Sequence, residues 1–293
     1  MLRARVPATS ANLGPGFDAL GLALDLHLVV YANLADRDDF SYAGEGPAPR
    51  LHGNLVHHGF AAVYRAVGEA VPPVSFTVEN PIPLARGLGS SSAALVAGAA
   101  IADALLEHPL GRDGVFQLTA GIEGHPDNVG PAVYGGLTVA AADARGEFLA
   151  TSLRLPERWS LLFGVPDFEL PTPTARAALP SSYSRSDTVL TSSRSALWVA
   201  AVANDQPELL RAASLDVLHE PYRAALVPRL AVTTARLREV GVYAAFLSGA
   251  GPSVGVVAPP ELLEACRAVL AEFAPGGQVL ALASAGGYVL ERA

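Results

Sequence analysis

The sequence predicts a mixed helix-and-strand fold in two domains, and three observations carry that prediction. Strand-like and helix-like stretches alternate along both halves of the chain. At 293 residues the chain is long enough for two ordinary domains, and 51% hydrophobic against 16% charged residues suits a well-buried core. The composition shifts over residues 151–158, which places a boundary between a domain of residues 1–152 and one of residues 153–293.

Taken in order, residues 2–6 read as a short strand ending at Pro7, and residues 8–16 as a loop. Asn12 and Asp18 can bind a small polar ligand there, or shape an Asx-turn and a cap. Residues 26–33 alternate as a strand, and residues 36–50 are turn-rich and acidic. A helix follows over residues 54–70, with Val56, Phe60, Val63, Tyr64 and Val67 on one face. His57 and His58 are adjacent on it and point in different directions, so they read as surface. Residues 74–79 form a strand, 93–106 an Ala-rich helix and 112–121 a second helix. Residues 123–131 are a polar, Gly/Pro-punctuated loop, 137–142 a strand and 143–147 a hairpin turn.

In the second half, residues 159–165 are an apolar strand and residues 171–180 start a short helix carrying Arg176. Helices follow over 189–203, 207–213 and 228–240, then a strand, Gly-rich loop and strand over 241–257. A helix over 261–273 holds the single cysteine, Cys266, as a buried small apolar residue. Strands near Val279 and Val289 close the chain, and no internal repeat is visible.

The most informative stretch is Pro81-Ile82-Pro83-Leu84-Ala85-Arg86-Gly87-Leu88-Gly89-Ser90-Ser91-Ser92-Ala93, set between a strand and a helix. Glycines let several N–H groups turn toward one point, and a helix start adds unpaired N–H groups and partial positive charge. Together these suit phosphate oxygens, with the serine hydroxyls available to cap the helix, touch phosphate or reach magnesium. A tight turn before an ordinary capped helix would use the same residues. It is not a Walker A loop, because the chain contains no lysine; all 20 basic residues are arginine.

The polar loop offers Glu123 as a magnesium-type carboxylate and His125 as a general base by residue type, or else as a hydrogen bond that shapes the turn, with Asp127 and Asn128 able simply to order the loop. Arg176 and Arg223 sit in polar turns and suit a carboxylate, which arginine holds with two parallel hydrogen bonds, or surface ion pairs. A net charge of -8 and an isoelectric point near 5.3 argue against a nucleic-acid partner. No signal-type leader opens the chain and no apolar window reaches membrane length, so a soluble, cytoplasmic protein without a membrane partner is expected.

Three stretches stand in a recognisable order: Pro7-Ala8-Thr9-Ser10-Ala11-Asn12-Leu13-Gly14, Gly87-Leu88-Gly89-Ser90-Ser91-Ser92-Ala93 and Ser248-Gly249-Ala250-Gly251-Pro252-Ser253. This combination resembles the GHMP kinases over essentially the whole chain. Pro15-Gly16-Phe17-Asp18, His125-Pro126-Asp127-Asn128-Val129 and Glu220-Pro221-Tyr222-Arg223 look like the branch that phosphorylates L-homoserine on the way to threonine. The resemblance implies an α+β two-domain fold with the active site in the cleft between the domains. It implies ATP and Mg2+, direct in-line phosphoryl transfer and a possible homodimer. ATP would lie along Pro83, Leu84, Ala85, Arg86, Gly87, Leu88, Gly89, Ser90, Ser91, Ser92 and Ala93, with Asn54 near adenine. Ser91 and Glu123 would hold magnesium; Gln117 is the other residue near that position. Asn12, Asp18, Asn128, Thr172, Arg176 and Arg223 would hold homoserine, Asp18 toward its amine and the arginines toward its carboxylate. Asp18, His125, Asn128 and Arg176 would stand at catalytic positions, and residues 249–253 would brace the phosphate loop. Another small-alcohol kinase, such as one for mevalonate, and a non-catalytic ATP-binding regulator are the alternatives.

Overall fold

In the computed structural model, which describes residues 1–45, 51 and 53–292, two sheets and their helices share the chain. The first sheet has seven strands. Its path runs β11 (Val289–Arg292), β1 (Leu2–Asn12), β2 (Gly16–Leu34), β4 (Val74–Asn80) and β3 (Asp39–Gly44). β5 (Leu137–Ala142) pairs with the first part of β2, and β6 (Phe148–Leu153) pairs with β5. The second sheet runs β10 (Gln278–Leu282), β7 (Ser160–Val165), β9 (Val254–Ala258) and β8 (Ala244–Leu247), antiparallel throughout.

Several boundaries differ from those read in the sequence. β1 does not stop at Pro7 but continues to Asn12, so residues 8–12 are strand rather than loop. The ladder to β2 shifts register between Pro7 and Ala8, and such an irregularity is where a strand tolerates a residue without an N–H. β2 spans 19 residues, far more than 26–33, because its two halves serve different neighbours: Leu20–Leu22 pair with β5 and Val29–Leu34 with β4. β3 arises inside the acidic stretch as a parallel edge strand on β4; residues 46–50 of that stretch lie outside the described residues.

The helix α1 (Leu55–Ala66) is capped by Asn54, whose Oδ1 accepts from Val56 N at 2.7 Å. It packs against α2 (Ser90–Leu105), and Val56, Phe60, Val63 and Tyr64 are buried. α2 is apolar almost all round, which suits a helix covered on every side by β1, α1 and α3 (Gly111–Glu123). Its one acid, Asp103, is 2% exposed and accepts from Leu110 N at 2.9 Å and Gly111 N at 3.3 Å, closing the turn into α3. A short α4 (Val129–Tyr134) follows where a loop was expected. Its Pro131 lies in the first turn, where a missing N–H costs no internal bond.

The second sheet is joined by α5 (Thr172–Ala177), α6 (Arg185–Ala203), α7 (Leu210–Ala213), α8 (Glu220–Arg223), α9 (Leu230–Val240) and α10 (Leu263–Phe273). Its core gathers Leu162, Val254, Val256, Leu237 and Leu270, with Cys266 fully buried among them. No helix among the described residues is long and apolar enough to cross a membrane.

Candidate active site

Three stretches of backbone, residues 9–12, 86–89 and 248–253, meet at one point and are tied to one another by hydrogen bonds. Thr9 N donates to Leu88 O at 3.1 Å, and Gly249 N donates to Ala11 O at 3.0 Å. Ser248 Oγ donates to Gly87 O at 2.7 Å, so Ser10 Oγ, 2.7 Å from it, is the donor in that second contact. Ser253 Oγ donates to Arg86 O at 2.6 Å, and Asn12 Nδ2 donates to Gly249 O at 3.0 Å. The packing leaves no room for side chains on the glycines of the loop. A Cβ on Gly87 would stand 2.1 Å from Ser248 O, and one on Gly89 1.8 Å from Thr9 Oγ1. Both glycines have positive φ, 74° and 69°.

The serines are not loop residues: α2 begins at Ser90, and Gly89 is its N-cap. No side chain caps this end, so the first N–H groups of a 16-residue helix point unpaired into the cleft. The cleft has a volume of about 410 Å³ and is lined by residues 83–91 of the loop together with Asn54, Asn128, Thr172 and Gly249. Leu28, Tyr42, Leu55, Val56 and Val78 form an apolar wall at one side, suited to a flat ring.

Not every loop residue faces that space. Arg86 lines it with its backbone, while its guanidinium donates to Leu84 O (2.6 Å), Pro166 O (2.9 Å) and Asp167 O (2.7 Å). Ser90 Oγ accepts from Asn80 Nδ2 at 3.0 Å. Ser92 and Ala93 turn inward instead of lining the cleft, at 1% and 0% exposure, because they follow the first helical residues onto the buried face of α2. Ser91 stays exposed and lines the cleft.

Glu123 is the last residue of α3 rather than part of the loop. Burial pushes its carboxyl above the usual range, against the pull of His125 and of the Ser92 hydroxyl. Ser92 Oγ lies against this carboxyl yet has no well-aligned hydrogen-bond partner of its own. Gln117 is occupied elsewhere: its amide pairs in both directions with the Phe148 backbone, tying α3 to β6.

A second group sits beside the cleft. His125 Nδ1 is 2.6 Å from Asp127 Oδ1; a carboxylate only accepts, so Nδ1 carries the proton. Burial lowers the His125 pKa, but the Asp127 hydrogen bond and the charges of Asp127, Glu123 and Asp18 outweigh it and the net shift is upward. Asp127 also accepts from Asn128 Nδ2 at 3.2 Å, and Asn128 Oδ1 accepts from Thr9 Oγ1 at 2.8 Å. In the sequence Asp127 offers no role beyond ordering the loop. It is 3% exposed and organises both of its polar neighbours. Its Pro-Asp-Asn setting carries the composition of an ordinary turn, and no signal in the sequence distinguishes it.

Asp18 faces this group; ligating atoms of Asp18, His125 and Asp127 all lie within 4.8 Å of one another. Asp18 has a φ of 54°, held by its N–H donating to Asn12 Oδ1 at 3.1 Å. Its carboxylate accepts two hydrogen bonds from Arg176, each 2.9 Å. Arg223 is 2% exposed and donates to Ala175 O (3.2 Å) and Gly249 O (3.1 Å). Its Nη1 also meets His219 Nδ1 at 3.2 Å. Thr172 is exposed at the start of α5 and lines the cleft. The arrangement places an uncapped helix N-terminus in the cleft that Asn128 and Thr172 line, with the Asp18–Arg176 ion pair close to the Asp127 group.

A pattern described as the GHMP kinases N terminal domain matches residues 54–136, and the GHMP kinases C terminal pattern matches residues 198–276. The chain is 48% identical over 287 residues to a homoserine kinase of Thermus thermophilus, covering 98% of this chain and 97% of that one. It is 39% identical to a homoserine kinase of Synechococcus, covering 97% and 96%. The crystal structure of a homoserine kinase from Cytophaga hutchinsonii shares the fold, with a TM-score of 0.86 at 23% identity over 99% of this chain and 97% of that one.

Proposed function

We propose that this chain, which belongs to the homoserine kinase branch of the GHMP kinase family, transfers the γ-phosphoryl group of ATP to the hydroxyl of L-homoserine. The observation that carries the reading is the uncapped N-terminus of α2 opening into the same cleft as Asn128 and Thr172, next to the Asp18–Arg176 pair.

The N–H groups at Gly89–Ser91 and the backbone of residues 83–88 would hold the β and γ phosphates, with the apolar wall around Val56 and Val78 taking the base. Asp18 would bind the ammonium of homoserine, and Arg176 and Arg223 its carboxylate. In the structure Asp18 and Arg176 satisfy each other. A zwitterion can take over both ends of that pair, whereas a simple carboxylate would take Arg176 and strand Asp18 within 4.8 Å of Asp127. This favours homoserine over mevalonate, which has no ammonium. Asn128 and Thr172 would fix the hydroxyl end in line with the γ-phosphate. Phosphoryl transfer needs such positioning and charge neutralisation more than covalent help, so no dedicated base is assigned. His125, tilted toward its charged form, would balance the surrounding carboxylates.

The donor set fits magnesium. Glu123 is a carboxyl raised by burial with the orphaned Ser92 hydroxyl against it, and Ser91 presents a further oxygen to the cleft. Ser91 and Glu123 would hold the ion, with Ser92 supporting Glu123. When bound it neutralises charge on the phosphate oxygens.

The test is ADP release by purified protein with ATP and Mg2+, over L-homoserine, mevalonate and γ-hydroxybutyrate. Turnover with homoserine and not with the other two is expected. Turnover with mevalonate and none with homoserine would overturn the assignment.

A further inference from the structure

Phe17 lies between the two halves of the substrate end, and the preceding reading gives it no part. Its ring is at the start of β2, next to Asp18. The guanidinium carbon of Arg176 is 5.3 Å from the ring centroid and that of Arg223 is 5.4 Å. The His219 ring is 5.5 Å away, tilted by 34°. One aromatic ring therefore touches both arginines, which arrive from different helices, α5 and α8.

The two guanidiniums repel each other: the charge of Arg176, added to burial, lowers the pKa of Arg223. They are also held unequally. Arg223 is fixed by Ala175 O, Gly249 O and His219 Nδ1. His219 can accept there because its Nε2–H is committed to Gly14 O at 2.7 Å. Among the described residues, the Arg176 guanidinium hydrogen-bonds only to Asp18 and otherwise lies over the Phe17 ring. If the substrate ammonium takes Asp18, Arg176 gives up its bidentate partner at the moment it must meet the carboxylate. The ring then remains as its fixed contact, and an aromatic π cloud attracts a guanidinium without competing for its N–H donors.

We propose that Phe17 is a positioning residue for the carboxylate of the amino-acid substrate, holding the Arg176 and Arg223 guanidiniums side by side so that both address one carboxylate. The proposal rests on the homoserine reading. It goes beyond that reading by assigning substrate affinity to a side chain that itself has no polar atom.

The test replaces Phe17 in the full chain with mono-, di- and trifluorinated phenylalanine, and separately makes Phe17→Leu. Fluorination drains the π face while the ring keeps nearly its size, so packing alone would not respond in a graded way. The expected result is a homoserine KM that climbs with each added fluorine, reaching about five- to fiftyfold for Phe17→Leu. The KM for ATP stays flat, and the loss falls more on homoserine KM than on kcat. Aminopropanol, which is homoserine without its carboxylate, should show no trend as a weak competitor against homoserine. A flat homoserine KM across the fluorinated series, with the unmodified enzyme active, overturns the proposal alone. So does a parallel rise in both KM values, since that marks general disruption. No turnover of homoserine by the unmodified enzyme overturns the homoserine reading and the proposal together.

Discussion

Gly89→Ala tests the packing of the glycine–serine loop most directly. The residue has φ 69°, and an added Cβ would fall 1.8 Å from Thr9 Oγ1, 3.0 Å from Thr9 Cβ and 3.1 Å from Thr9 N. Thr9 cannot step aside freely. It is fully buried, branched at Cβ, and its hydroxyl is tied to Asn128. A left-handed backbone on a non-glycine residue costs about 1–3 kcal/mol, and overpacking a close-packed site adds about 1–3 kcal/mol. The expected loss in urea unfolding is therefore about 2–6 kcal/mol. The control is Gly68→Ala, with φ 79° and nothing within 4 Å of its Cβ, which should lose only the backbone share of about 1 kcal/mol. Adding Thr9→Ala to Gly89→Ala removes the nearest atom, so the two changes should couple favourably, by about 1–2 kcal/mol. The ATP KM should rise in Gly89→Ala and not in Gly68→Ala. Equal stability losses for the two alanine variants, or strict additivity with Thr9→Ala, would refute the reasoning.

Three further outcomes are expected. Arg86→Lys replaces a buried fork that reaches three carbonyls with a single ammonium, and should cost about 2–3 kcal/mol in urea unfolding; a change below about 0.5 kcal/mol would count against that role. Cys266 is fully buried and its thiol is pushed up to about 11 by burial, so the native protein should resist thiol reagents and react only once unfolded. Burial lowers the His219 pKa from 6.5, so below about pH 6.5 the unfolded chain binds a proton that the folded one does not. Stability should therefore fall as the pH drops through that range, and His219→Gln should flatten the slope in urea titrations at a series of pH values.

Most of the glycine–serine loop is legible in the sequence because glycine and serine report backbone geometry directly. Composition marks Gly87 and Gly89 as a tight backbone turn, the resemblance to the GHMP kinases sets residues 249–253 against it, and the two stretches do pack together. The extent of β1 was not legible. Pro7 marks a strand end locally, and only the irregular pairing with β2 shows why the strand continues. Nor was the inward turn of Ser92 and Ala93, since it depends on where in the Ser-Ser-Ser run the helix begins. Around Asp18 and Arg176 the sequence offers only isolated charged residues. That Asp18 and Arg176 already satisfy each other depends on a separation of 158 residues that no local pattern encodes; Asp127 reaches His125 and Asn128 only two and one residues away, but the composition of an ordinary turn does not single it out.

The pairing of β11 with β1 has a consequence for how the chain is made. Arg3 and Glu291 face each other across this ladder and are joined by an ion pair, although 288 positions separate them. During synthesis from the N-terminal end, β1 therefore emerges with one flank open and keeps it open until residues 289–292 have been made. An open strand flank is a template for the wrong neighbour. The nascent protein carries that hazard until its partner leaves the ribosome, and a chaperone that shields extended backbone would have its longest opportunity there.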